Sequence, residues 1–341
     1  MSLFFYFIFI FVFLIFLNFF MNKTRFYIDI NKSSFHKKIT GQQETPLSGG
    51  LVIIFMIIFF IELTDLVKIF LFLIFVIGFF SDKQKLISPN VRFLLQIIIV
   101  FLFVIYEGPQ IEETRIILVD NFLNFYLFKI LFTSLCILII LNGSNFIDGV
   151  NGNLIGYYLI VNSIILFFHS NYNLDFTSFY ISILCITLFV LFIFNIFGKV
   201  LMGDSGAYLV SFLTGISLIS FSNLNQEISP FYVVLLLWYP AFENLFSIVR
   251  KKSLNKSPLY PDAKHLHHLV YLFFLKEMKL KKKYSNSASG LLINFYNLLI
   301  FSIGTLFHSH SQILIILVFF NLVVYSSIYY RLGRRLNRLG M

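Results

Sequence analysis

The feature that most constrains this chain is the recurrence of apolar runs of roughly 17 to 25 residues along its whole length, each able to cross a hydrocarbon core of about 30 Å as one helix. Only 12% of its 341 residues are charged, about half the roughly 25% of an ordinary soluble domain, which excludes a soluble globule. The runs predict spans at 3–20, 47–63, 66–80, 92–106, 122–141, 153–168, 176–194, 206–221, 231–248, 290–307 and 312–330. The expected fold is therefore all-α: a polytopic integral membrane protein with about eleven transmembrane helices. Cys136 and Cys185 both fall inside apolar runs, which argues against a disulfide framework.

An odd number of crossings puts the termini on opposite sides, and the cations say which. With the N-terminus outside and the C-terminus inside, 23 of the 26 Lys and Arg residues lie on the inner side. The outer loops then hold Glu62, Asp65, Glu107, Glu112, Glu113, Asp120, Asp175 and Glu227, with Arg115 their one clear cation. Segment Leu3–Phe20 has no basic residue before it and no small-residue cleavage site, and it is followed by Lys23 and Arg25, so it reads as an anchored first helix. The net charge of +10 is mostly this topology and calls for no nucleic acid; the cluster at Lys279–Lys283, with Arg331, Arg334, Arg335 and Arg338, suits anionic lipid. No repeat or linker divides the chain, so 1–341 is expected to be one domain, its longest loop being 249–289. The sequence leaves a homodimer open.

Five glycine-rich or acid-bearing segments fall on the inner side: His36–Gly50, Gly78–Gln96, Asn142–Gly152, Lys199–Gly206 and Arg250–His268. Asp82, Asp148 and Asp204 stand at helix ends near the hydrocarbon boundary, where an unpaired carboxylate is costly. A divalent cation would offset that cost, and oxygen ligands suit Mg²⁺ or Mn²⁺ better than zinc. Lys37, Lys38, Arg92, Lys199, His265, His267 and His268 add positive charge and donors on the same face. Acids, a hard metal and cations together suit phosphoryl transfer at the inner membrane surface. An isolated Asp at a helix end is also a common cap, and paired glycines also serve close helix packing. His36 reads as a solvated loop residue, and His308 and His310 belong to an outer loop.

The five segments, in this order, resemble the polyprenyl-phosphate N-acetylhexosamine-1-phosphate transferases of glycosyltransferase family 4, in their undecaprenyl-phosphate N-acetylglucosamine-1-phosphate transferase-like branch. The resemblance rests on Thr45, Pro46, Gly49 and Gly50 after Lys37 and Lys38, and on Ser81-Asp82 followed by Ser88-Pro89, Arg92 and Gln96. It continues through Asn145, Asp148, Gly149, Asn151 and Gly152, then the intact turn Met202-Gly203-Asp204-Ser205-Gly206. It ends with Pro261, Asp262, His265, His267 and His268, which cover the motif region 36–268. The chain departs from the family pattern at three positions. Ser81 replaces the first Asp of a pair, Asn151 replaces a second Asp, and Glu243 stands where Asp is frequent.

The resemblance implies transfer of a sugar 1-phosphate from a UDP-sugar to polyprenyl (undecaprenyl) phosphate with release of UMP, at the start of cell-envelope polysaccharide assembly. It implies a multi-pass protein of the cell inner (plasma) membrane with its active site on the cytoplasmic face. Asp204 with Asn145 is then expected to hold Mg²⁺, with Mn²⁺ as the alternative, and Asp82 to position or deprotonate the lipid phosphate. Asp148, Gly149 and Asn151 would take the nucleotide; Lys38, Thr45, Arg92 and Lys199 the phosphates; and His265, His267 and His268 the diphosphate or sugar. The alternatives are a phospho-N-acetylmuramoyl-pentapeptide transferase, whose histidine run usually differs, or a degenerate relative that binds lipid phosphate without turnover.

Overall fold

A computed structural model describes residues 3–29, 44–85, 88–172, 178–253, 255 and 264–337. His36, Lys37, Lys38, Asp175, Pro261, Asp262 and Arg338 lie outside the described residues. The architecture is helical. In chain order the elements are α1 Leu3–Thr24, β1 Ile28–Asp29, β2 Thr45–Pro46, α2 Ser48–Phe60, α3 Asp65–Asp82, α4 Pro89–Tyr106, α5 Ile117–Leu123, α6 Tyr126–Ile147, α7 Asn153–Tyr172, α8 Ser178–Ile196, α9 Gly203–Leu224, α10 Pro230–Leu236, α11 Trp238–Ser253, α12 Leu266–Lys276, α13 Lys282–Leu306 and α14 Ser311–Asn337.

Each of the eleven expected spans overlies a helix or, for 231–248, the pair α10 and α11. Among the described residues seven helices are long and apolar enough to cross a membrane, and the bent pair would make an eighth, against the eleven crossings expected. This is a polytopic membrane architecture. Helix α2 has 13 residues, about 20 Å at 1.5 Å per residue, shorter than a hydrocarbon core. The region 249–289, expected to be a loop, contains all of α12 and the start of α13.

Local chemistry explains where the helices begin. Thr64 accepts the Val67 N–H at the head of α3, and Ser229 accepts that of Phe231 at the head of α10. Pro89 and Pro230 occupy first-turn positions, where a missing N–H costs nothing. Pro240, inside the first turn of α11, has no N–H for the carbonyl four residues back, and the two helices meet at a 70° bend. The Tyr157 hydroxyl donates to that orphaned Leu236 carbonyl at 2.6 Å, so the break leaves no bare acceptor inside the bundle.

Helix α9 is the buried axis of the bundle, packed by α2, α3, α6 and α7. Small residues make this possible: a Cβ on Gly78 would overlap the Ser205 backbone, and one on Gly50 would overlap the Ser205 hydroxyl. Helices α2 and α3 therefore close directly onto the first turn of α9. At the opposite end Arg115 donates to the carbonyls of Ser309 and Gln226 and to the Ser311 hydroxyl, tying together three connections. His308 lies at that end, its Nδ1 on the Thr305 carbonyl, and His310 follows in the same turn.

Candidate active site

The site forms where the first turn of α9 meets the ends of α3 and α6. Gly203 has φ of +66°, a left-handed turn that lets the chain enter α9, and a Cβ there would press on the Asp82 carboxylate. A helix start leaves N–H groups without intrahelical partners. Here Asp82, the last residue of α3, supplies the acceptors: Oδ1 takes the Asp204 N–H at 2.8 Å and Oδ2 the Ser205 N–H at 3.1 Å. The Tyr27 hydroxyl donates to Oδ2 at 2.6 Å and stands 2.9 Å from the Ser205 hydroxyl.

So held, Asp204 presents both carboxylate oxygens to side chains. Oδ2 accepts from Ser81 at 2.5 Å and from Arg92 at 2.9 Å, and Arg92 also donates to Ser81 at 2.7 Å. Oδ1 meets the Asn145 amide at 2.5 Å. Asp148 ends α6 beside this group. Burial, and then the nearby charges of Asp204 and Asp82, push its carboxyl up from 3.8 to about 8. Three carboxylates thus share one corner with Arg92, an acid excess that a cation or donor-rich ligand would relieve.

The loop after Asp148 is held by asparagines from other helices. Asn286 accepts the Asn151 N–H at 2.7 Å, Asn195 accepts the Gly152 N–H at 2.5 Å, and Asn294 donates to the Gly152 carbonyl at 2.6 Å. Asn151 itself is 5% exposed, deeper than half-buried Asp148 and Gly149. The histidine segment closes over this loop: a Cβ on Gly149 would overlap the His267 ring and approach His268. His265 stacks on His267 with ring centroids 5.7 Å apart and on Phe146 at 5.2 Å.

The structure therefore brings together Asp82, Asp204, Asn145, Arg92 and Asp148, and next to them Gly149, Asn151, His265, His267 and His268. Thr45 sits at the margin, its hydroxyl 3.4 Å from the Gly198 carbonyl. Lys199 is exposed, with no side-chain hydrogen bond among the described residues, and Lys38 lies outside them. Sequence reasoning missed Tyr27, Asn195, Asn286, Asn294 and Lys251. Lys251 is 3% exposed and places its ammonium 5.4 Å from the Phe146 ring centre. The usable signal was polarity in the wrong place: an Asn inside an apolar span is costly unless it bonds something.

Fold and site together define a polytopic helical membrane protein with an acidic, Arg-bridged centre at one end of its bundle. Residues 65–222 match the model of glycosyl transferase family 4. This segment, just under half of the chain, contains Asp82, Arg92, Asn145, Asp148 and Asp204. A Bacillus subtilis relative, a probable undecaprenyl-phosphate N-acetylglucosaminyl 1-phosphate transferase, is 30% identical over 60% of this chain and 57% of its own length. A Mycolicibacterium smegmatis decaprenyl-phosphate N-acetylglucosaminephosphotransferase is 32% identical over 41% of this chain and 40% of its own. A Salmonella typhi undecaprenyl-phosphate alpha-N-acetylglucosaminyl 1-phosphate transferase is 25% identical over 71% and 68%. The chain thus spans about half the length of the first two curated relatives.

Proposed function

We propose that this protein transfers N-acetylhexosamine 1-phosphate from a UDP-sugar to a polyprenyl phosphate of the undecaprenyl type, releasing UMP. The observation that carries the reading is the Asp204 centre: one carboxylate in contact with Asn145, Arg92 and Ser81, on a helix turn fixed by Asp82. Relatives named for polyprenyl-phosphate N-acetylglucosamine transfer support the substrate class.

The donor set fits a hard cation. The Asn145 amide N–H donates to Asp204 Oδ1, so a turn of that amide would set its oxygen beside the carboxylate as a second hard ligand, the rest of the shell coming from the diphosphate and water, since among the described residues no three His, Cys, Asp or Glu are grouped to hold a metal ion. These two residues would hold Mg²⁺ or Mn²⁺, which when bound neutralises charge on the diphosphate. Arg92 directs a guanidinium into the same corner and steadies phosphate oxygens. Asp148, Gly149 and the loop through Asn151 receive the nucleotide, and the histidines face the diphosphate-sugar. An oxygen of the lipid phosphate attacks the sugar-side phosphorus. The bond from that phosphorus to the bridging oxygen breaks, and UMP departs with the bridging oxygen. A lipid phosphate is already largely ionised at neutral pH, so the attack needs no strong base. Asp82, with both oxygens accepting protein donors, acts mainly by holding Asp204.

The eleven-span topology, with the N-terminus outside and the site on the cytoplasmic face of the plasma membrane, is part of the same reading. The 23 inner-side cations support it. Inverted vesicles carrying the overexpressed protein, given polyprenyl phosphate, Mg²⁺ and a panel of UDP-sugars, should release UMP with N-acetylhexosamine donors. No release across the panel from folded protein overturns the assignment. Ser81 in place of an acid favours a second reading, a lipid-phosphate binder without turnover. Activity appearing only in Ser81→Asp would establish it.

A further inference from the structure

The last helix, α14, lies outside the segment matched by the family, yet it reaches the histidine segment through one buried carboxylate. Glu243 of α11 is fully buried. Its Oε1 lies 2.8 Å from His265 Nδ1, and its Oε2 accepts the Tyr325 hydroxyl at 2.7 Å. Tyr325 is itself immobilised, with Phe242 and Phe246 packed edge-on at centroid distances of 4.9 and 5.3 Å. A carboxylate only accepts, so the proton between Glu243 and His265 sits on Nδ1, and Nε2 is the ring atom left for a ligand. From His265 the contacts continue by parallel stacking to His267, and from His267 to Gly149 of the loop that follows Asp148.

We infer that Glu243 and Tyr325 are positioning residues for His265: Tyr325 aims the Glu243 carboxylate, Glu243 fixes the imidazole tautomer and plane, and His265 thereby presents Nε2 to the diphosphate-sugar of the donor. The identity of the ligand rests on the function proposed above; the fixing of the ring does not. A carboxylate behind an imidazole is a general means of setting which ring nitrogen faces outward. Aiming that carboxylate with a hydroxyl from α14 makes the C-terminal part of the chain a component of donor recognition. The lipid acceptor, approaching from the hydrocarbon side, is not touched by this relay.

The test uses the full-length protein in lipid, with Tyr325→Phe, Glu243→Gln and Glu243→Asp. Tyr325→Phe removes one hydroxyl and should raise KM for the UDP-sugar about 5-fold, the size of one hydrogen bond. The KM for polyprenyl phosphate should not change. Glu243→Gln can turn its amide N–H toward Nδ1 and should cost more than 10-fold in kcat/KM for the donor, on the scale of a lost charge-assisted bond. Glu243→Asp should recover part of that loss. Equal rises in both KM values, or a loss tracking only the amount of folded protein, overturn the inference. Histidine ¹⁵N spectra of the ligand-free protein give a readout independent of turnover. Wild type should show the Nδ1–H form at His265, and Glu243→Gln should shift it. If the spectrum is already Nε2–H in wild type, the relay is wrong even in an active enzyme. If the spectra agree but no UDP-sugar is turned over, the proposed function fails and the relay stands.

Discussion

Asp82 Oδ1 accepts the backbone N–H of Asp204 at 2.8 Å, so the acid that ends one helix caps the start of another. This relation makes different predictions for Asp82→Asn and Asp82→Ala. The Asn variant keeps a carbonyl acceptor for the helix start, whereas Ala keeps none. Loss of a cap costs about 0.5–2 kcal/mol, so Asp82→Ala should lower the thermal midpoint and remove most turnover. Asp82→Asn should fold and keep a measurable fraction of kcat. Two variants equally dead and equally folded would show that Asp82 instead acts on the substrate itself.

Gly149 faces the rings of His267 and His268 with no room for a methyl group. Gly149→Ala should overpack this contact at about 1–3 kcal/mol. Since the histidine segment must move to accommodate it, KM for the UDP-sugar should rise roughly 10-fold or more, while KM for the lipid phosphate stays near wild type. Steady-state kinetics with each substrate varied in turn would check this, and unchanged donor affinity would count against a shared nucleotide site.

Removing the Tyr157 hydroxyl strands the Leu236 carbonyl at the α10–α11 bend. An unsatisfied buried acceptor costs about 1–3 kcal/mol. Tyr157→Phe should therefore lower thermal stability in detergent without changing the rate per folded molecule. A midpoint equal to wild type would mean that another donor takes over the carbonyl.

The carboxyl of Asp148 is pushed by burial from 3.8 to about 8. Between about pH 4 and pH 8 the unfolded chain has released a proton there that the folded protein retains, so stability falls as pH rises across this window and levels off above it. Asp148→Asn cannot ionise and should lack this fall. The ligand-free variant should gain on wild type as pH is raised from about 5 to about 8. A difference in melting temperature that stays constant over that range would refute the assignment.

The helices were legible because a long apolar run in a membrane has few alternatives to a helix. Helix α12 was not: its eleven residues are too few for a span, and His267 and His268 break its apolar pattern. The bend at Pro240 was not read either, although proline is the commonest cause of one. Asp204, Asn145 and Arg92 were legible as a group, since all three stand in the terminal turns of apolar helices. What each touches was not. That Asp82 would cap a helix more than 120 residues away, and that Tyr27 would join it, depends on how α3 packs on α9. Sequence distance carries no trace of that contact. Asn195, Asn286 and Asn294 left the fainter trace of amides in apolar surroundings.

The Arg115 guanidinium binds three connections at the end of the bundle away from Asp204. A set of long rods clamped at one end behaves as a pair of tweezers: a small angular change at the clamp becomes a large displacement at the free tips. Here the tips carry Asp82, Asp204 and the histidine segment, so a change in how the three connections are tied would be felt most in the spacing of these residues. Removing the Arg115 guanidinium would therefore free three connections from one another without touching any residue of the Asp204 centre.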